Sequence, residues 1–276
     1  CKGKEFFSKE YWGYALRIGI PIVPHYLSGI ILNQGDRIMI DKMVGKTEVA
    51  LYGLAYSIGM LVQLFISGMN SALTPWMYSK IKKGDIRSMR KVLQLLSIVV
   101  VGIAVALMLI SPELVLIFGS PKYREAVYVI PPVAASVFFI FIYNILSMPQ
   151  FYYEKTQFLM AASMAAAGAN VVLNFIFIRL FGYIAAGYTT LACYMLYSVG
   201  HYIVSKRILV NEGIQENLMN PGFLLACSVF LIGASIICNL IFPYRILRYA
   251  ILLASAGLVF WKKELLLKTM ADIRKK

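Results

Sequence analysis

The chain is built from long stretches without a single charged residue, separated by short segments that carry Lys and Arg. Val92–Pro112, Ala126–Tyr153, Thr156–Ile178, Leu180–Ser205 and Asn217–Tyr244 each lack Asp, Glu, Lys and Arg. About 20 apolar residues suffice for a helix to cross the hydrocarbon core of a bilayer. No water is available there to pair backbone N–H and C=O groups, which leaves only helices and closed barrels as spanning structures. The stretches show no strict two-residue alternation, and this selects helices over barrel strands. The fold class that follows is all-α, a polytopic integral membrane helix bundle with about eight transmembrane helices.

Composition supports this reading and removes others. Charged residues make up 14% of the 276 residues, against about 25% in a soluble domain, and mean hydropathy is +0.72. The net charge of +14 would suggest nucleic acid on a soluble protein. Here the basic residues lie between apolar runs, where they act as topology signals, and no nucleic-acid partner is expected. Three of the four cysteines, Cys193, Cys227 and Cys238, lie within apolar runs, and none of the four has metal-ligand spacing. They read as small buried hydrophobes, with no metal, cofactor or disulfide framework. The chain starts with Cys1 and has no signal peptide, so it reads as a piece of a longer sequence.

The predicted spans are Ala15–Gly35, Leu51–Trp76, Val92–Ile110, Ala126–Met148, Phe158–Ile178, Tyr183–Val204, Phe223–Phe242 and Ile246–Trp261. The last is short and interrupted by Arg248, whose side chain is expected to snorkel to the interface. With the N-terminus inside, 19 of the 27 Lys and Arg residues fall on the inner side. That asymmetry puts both termini in the cytoplasm. Segment 1–14 is then cytoplasmic or interfacial, and 263–276 is a basic cytoplasmic tail. Lys80–Lys91 is the strongest basic cluster, and its Gly84-Asp85 pair predicts a turn followed by a helix N-cap. In Ala161–Ala169 the small residues would allow close helix packing.

Polar side chains inside the spans are costly and therefore functional candidates. The first span carries Pro21 and Pro24, which predict a bend or break and hence a hinge. His25, Asn33 and Asp36 lie close to one helical face. A kinked helix with one polar face suits a transporter. Alternatively, Asp36 and Arg37 sit at the outer interface, with Arg37 pairing to Asp41. Gln63 and Asn70 share a stripe in the second span, Asn170 and Asn174 in the fifth, and Tyr194 and His201 in the sixth. Taken singly, each polar residue reads as an interhelical hydrogen bond; taken together, the stripes favour an aqueous cavity. No catalytic motif is present, and no enzyme activity is expected.

Ile20–Gly45, IPIVPHYLSGIILNQGDRIMIDKMVG, resembles the seventh span of Wzx-type polysaccharide flippases, members of the multidrug/oligosaccharidyl-lipid/polysaccharide superfamily. The similarity continues through LYGLAYSIG and MNSALTPWMYSKIKKGD, about the first third of the chain. The resemblance implies a two-lobed transporter of about fourteen spans, of which this chain is the second lobe: a six-helix unit over 15–204 and two further helices over 205–262. It implies alternating access in the cytoplasmic membrane and transport of a polyprenyl-pyrophosphate-linked oligosaccharide, alongside membrane lipids and polysaccharide polymerase machinery as partners. Arg37, with His25, matches the region where cationic residues would hold the pyrophosphate. A multidrug or cation antiporter of the same superfamily is the first alternative and would want an intramembrane carboxylate, for which Asp36, near a span edge, is the candidate. A membrane glycan polymerase or acyltransferase is the second, and the short loops argue against it.

Overall fold

The computed structural model describes residues 7–261. Cys1 and the basic tail 263–276 lie outside the described residues. The described chain is helical throughout: α1 (Lys9–Met43), α2 (Lys46–Gly59), α3 (Leu61–Lys82), α4 (Ile86–Phe118), a 3-10 segment (Pro121–Val129), α5 (Ile130–Tyr152), α6 (Thr156–Phe181), α7 (Ala185–Asn211), α8 (Pro221–Ile241) and α9 (Arg245–Trp261). With α2 and α3 taken together, these are the eight elements of an all-α multi-pass membrane bundle, and six are long and apolar enough to span by that measure alone. α7 has the length but is more polar, because it carries Thr189, Thr190, Tyr194, Tyr197 and His201. α9 has only 17 residues.

Local chemistry sets the helix ends. Asp85 caps α4 by accepting from the Ser88 amide at 3.3 Å, and Gly84 supplies the left-handed turn before it at φ 68°, as its sequence predicts. Asn220 caps α8 through the Gly222 and Phe223 amides, with Pro221 in the first turn. The fourth predicted span begins later than expected. Ala126–Val129 belongs to the 3-10 segment, and α5 starts only at Ile130, followed by Pro131 and Pro132. Prolines fit the first helical turn and disfavour helix just before them.

The second predicted span is interrupted at Met60, between α2 and α3. The break lies where Gly59 meets α5 so closely that a Cβ on Gly59 would stand 2.7 Å from Val133 Cγ1. α1, by contrast, runs as helix through Pro21 and Pro24 without interruption, where the sequence allowed a break.

α5 is the core of the bundle and packs against α3, α4, α7 and α8. It is buried along most of its length, whereas α1 has only Ser28, Leu32, Asp36 and Ile40 buried. A helix that is apolar on all sides belongs inside. α1 lies along α6 and touches α2. Ala166 and Ala167 of α6 are buried, in keeping with the packing role expected of the small-residue stretch.

Arg248 does not snorkel to an interface. It is 3% exposed and donates to both carboxylate oxygens of Glu113 at 2.8 Å and to the Leu109 carbonyl at 2.6 Å. Tyr249 adds a bond to Glu113 at 2.9 Å. A guanidinium facing a carboxylate on the neighbouring helix gains more from this paired geometry than from reaching water, and α9 is thereby fixed to α4.

Candidate functional site

Two adjacent polar features stand out, one buried and one open on a side. The first surrounds Asp36. α1 continues past the predicted span end to Met43, so Asp36 lies within a helix and not at its edge. Its side chain is 0% exposed. It accepts hydrogen bonds from Tyr52 of α2 at 2.5 Å, Asn174 of α6 at 2.5 Å and Thr190 of α7 at 2.7 Å. Asn174 also donates to Asn170 at 3.1 Å and accepts from Thr189. Four helices thus converge on one carboxylate. The described ion pairs include none to Asp36. Burying a carboxylate in low dielectric is expensive unless donors or a cation compensate it. Here the neutral donors of Tyr52, Asn174 and Thr190 supply that compensation.

The second feature is a half-open chamber of about 480 Å³ between α1, α5 and α7, with Tyr26, Ile30 and Gln34 exposed along its α1 side. α1 contributes His25, Asn33 and Gln34, α5 contributes Tyr143, Asn144 and Ser147, and α7 contributes Tyr194 and Tyr197. Tyr143 is the centre of an aromatic cluster. Its ring stacks on Tyr194 at 6.2 Å with an interplanar angle of 8°, meets Tyr197 at 4.5 Å, and lies 5.9 Å from the His201 ring. The Tyr197 hydroxyl lies 3.1 Å from His25 Nδ1. His201 is fully buried, accepting from the Gln150 amide at 2.7 Å.

A short relay joins the two features. Asn33, in the chamber wall, accepts from the Tyr56 hydroxyl at 2.8 Å. The Tyr56 ring lies 5.8 Å from that of Tyr52, the residue that donates to Asp36. Arg37 lies 5.2 Å over the Tyr56 ring and donates to Gln34 at 2.9 Å. It forms no ion pair with Asp41, contrary to the interfacial reading, because its side chain is held on the α2 side.

The sequence candidates therefore separate. His25, Asn33 and Tyr194 line the chamber, and His201 underlies it. Asp36, Asn170 and Asn174 form the carboxylate network, and Arg37 stands beside both. Gln63 and Asn70 belong to neither, and each leaves its amide oxygen buried without a partner. Sequence reasoning missed Tyr143, Asn144 and Tyr52. Tyr143 and Asn144 stand as an adjacent polar pair within the apolar α5 run, which is the only signal they give.

The MatE family model matches residues 21–176, more than half of the chain. The chain belongs to the MatE family. MatE proteins are membrane transporters of the multidrug/oligosaccharidyl-lipid/polysaccharide superfamily, not enzymes. The match takes in the α1, α2, α5 and α6 residues of both features, while the α7 residues lie beyond it. Among curated relatives, this MatE chain is 28% identical over 172 residues to the Lsg locus protein 1 of Haemophilus influenzae, covering 58% of the chain and 41% of that protein. It is 30% identical over 165 residues to an uncharacterized membrane protein of the same organism, covering 56% of the chain and 39% of that protein. The chain thus spans about two fifths of the length of the curated relatives it matches. No solved structure matches it.

Proposed function

We propose that this MatE protein moves a polyprenyl-pyrophosphate-linked oligosaccharide from the inner to the outer leaflet of the cytoplasmic membrane, coupled to a cation or proton taken up at Asp36. The observation that carries the transport reading is the buried carboxylate one relay away from a chamber wall. A charge change at Asp36 alters the hydrogen bonds of Tyr52 and Thr190, and through Tyr56 and Asn33 it reaches the chamber. A ligand that binds one arrangement better than the other shifts the balance between them. The glycan cargo is supported by the resemblance of Ile20–Asp85 to polysaccharide flippases. Polysaccharide polymerase machinery is the natural recipient of such a product, and both termini inside is the orientation the basic residues favour. Pro21 and Pro24, on a helix with few buried residues, are the proposed hinge.

The second reading, a multidrug or cation antiporter, is favoured by the same buried Asp36. The two readings share coupling and differ in cargo. Deleting the gene and restoring it with wild type or Asp36→Asn separates them. The glycan reading expects surface polysaccharide to be lost on deletion, restored by wild type and not by Asp36→Asn at equal membrane abundance. Unchanged surface polysaccharide together with heightened sensitivity to cationic dyes would select the antiporter.

A further inference from the structure

The chamber wall carries no Asp, Glu, Lys or Arg side chain. Both charged groups nearby are turned elsewhere: Asp36 is enclosed by Tyr52, Asn174 and Thr190, and Arg37 is tied to Gln34 and the Tyr56 ring. A pyrophosphate or an acidic sugar in such a chamber would leave its charge without the paired donors it requires. The volume of about 480 Å³ falls within the range of small-molecule sites.

We propose that this chamber is a subsite for uncharged sugar rings, with Tyr143 as the stacking platform. The proposal rests on the oligosaccharide reading and names the part of the cargo this wall accepts. A pyranose presents a flat face of C–H groups and a rim of hydroxyls that both donate and accept. It calls for a rigid apolar plane edged by groups of mixed hydrogen-bonding character. Tyr143 is such a plane. It is braced by Tyr194, Tyr197 and His201, so little rotamer freedom is left to lose on binding. Asn33, Gln34, Asn144 and Ser147 supply amides and a hydroxyl around it; Ser147 donates to the Asn144 carbonyl and so offers an acceptor, while Asn33 is held by Gly29 and Tyr56. Gln34 has its carbonyl oxygen engaged by Arg37, which orients its amide and leaves that N–H₂ as a donor.

An aromatic cluster can also hold an organic cation through ring faces. A titration with tetraphenylphosphonium distinguishes that use from sugar stacking. Tyr143 and Tyr194 lie nearly parallel and offset, an arrangement that widens the flat apolar surface a pyranose can lie on.

The test uses the natural protein in lipid nanodiscs, free of sugar-headed detergent. Calorimetric titration compares neutral trisaccharides of glucose, galactose and N-acetylglucosamine with a sialylated trisaccharide and with tetraphenylphosphonium. The expected result is that at least one neutral trisaccharide binds about tenfold more tightly than the sialylated one and the cation. Tyr143→Leu, which keeps apolar bulk without a flat ring, should weaken it about tenfold, the scale of one lost ring-stacking contact. Tyr143→Phe should stay within about threefold of wild type. Absence of binding by every neutral sugar, equal binding by Tyr143→Leu, or preference for the phosphonium overturns the proposal. Surface polysaccharide in cells tells the two readings apart. If deletion abolishes the polysaccharide and Tyr143→Leu exports it normally, the subsite falls and the flippase reading stands. If deletion leaves the polysaccharide intact while the nanodisc preference holds, the flippase reading falls and a neutral-sugar site remains.

Discussion

At the scale of single residues, Asp36 illustrates how a side chain's meaning depends on where its helix ends. Read from spacing, it sat near the margin of the first span. With α1 extended to Met43 it becomes the acceptor for three helices. Two substitutions separate charge from packing. Asp36→Asn keeps the shape and removes the charge, so cation dependence of transport should disappear while membrane abundance stays normal. Asp36→Ala leaves the buried donors of Tyr52, Asn174 and Thr190 facing a void, at about 1–3 kcal/mol for each group left unsatisfied. Its unfolding midpoint in detergent should fall clearly below that of Asp36→Asn, and equal midpoints would mean that the network contributes little to the fold. Arg37 gives a parallel case. Its planar guanidinium lies over Tyr56 and bonds Gln34, contacts that a lysine ammonium reproduces poorly. Arg37→Lys should therefore lower glycan export at unchanged protein level, and full export by Arg37→Lys would restrict the residue to a generic charge.

At the scale of elements, two junctions hold the site's frame. The first is the break between α2 and α3, where Gly59 meets Val133. Gly59→Ala should destabilise the protein by about 1–3 kcal/mol through overpacking, and Val133→Ala should recover part of it in a double-mutant cycle. Additive effects would mean that the two helices do not constrain each other there. The second is the Arg248–Glu113 pair joining α9 to α4. Arg248→Ala strands a carboxylate and should cost about 3 kcal/mol. Arg248→Met combined with Glu113→Gln should cost less, because no charge is left unpaired. A thermal melt of both variants distinguishes a charge clamp from a packing contact. Neither junction was legible beforehand. Gly59 stands among Ser57, Ile58, Met60 and Leu61 with nothing to mark it, and the partner of Arg248 lies 135 positions away in the sequence.

At the scale of the whole molecule, the ends of the bundle carry different chemistry. Arg87 pairs with Glu216 at 3.1 Å, and Arg90 donates to the Asn217 carbonyl at 2.7 Å, so the α3–α4 turn is fastened to the α7–α8 connection. Tyr14 of α1 donates to Glu154 at 2.5 Å, at the α5–α6 turn. These contacts join the ends of seven helices, α3, α4, α7 and α8 in one group and α1, α5 and α6 in another. The basic asymmetry predicts that this end faces the cytoplasm. Single cysteines at Lys83 and Lys122 test it: an impermeant thiol reagent added outside should label the position of Lys122 and spare that of Lys83. Labelling of Lys83 from outside would invert the topology.

What the sequence determined by itself was the solvent and the element type. Uncharged runs of spanning length without two-residue alternation leave the backbone no option in lipid except helix, and that conclusion needs no knowledge of neighbours. It also marked His25, Asn33, Asp36, Asn170, Asn174 and Tyr194 as polar residues in apolar surroundings. Only the tertiary structure decided which of them meet. Asn170 and Asn174 share a helix stripe, as the spacing says, yet their stripe closes on Asp36 and leaves the chamber to α1, α5 and α7. α5 concealed its contribution most completely. A helix buried on all sides carries no amphipathic stripe to announce a functional face, so Tyr143 became visible only once Tyr194, Tyr197 and His201 from α7 were packed against it. Spacing along one helix fixes which side chains share a face, and packing between helices fixes what that face meets.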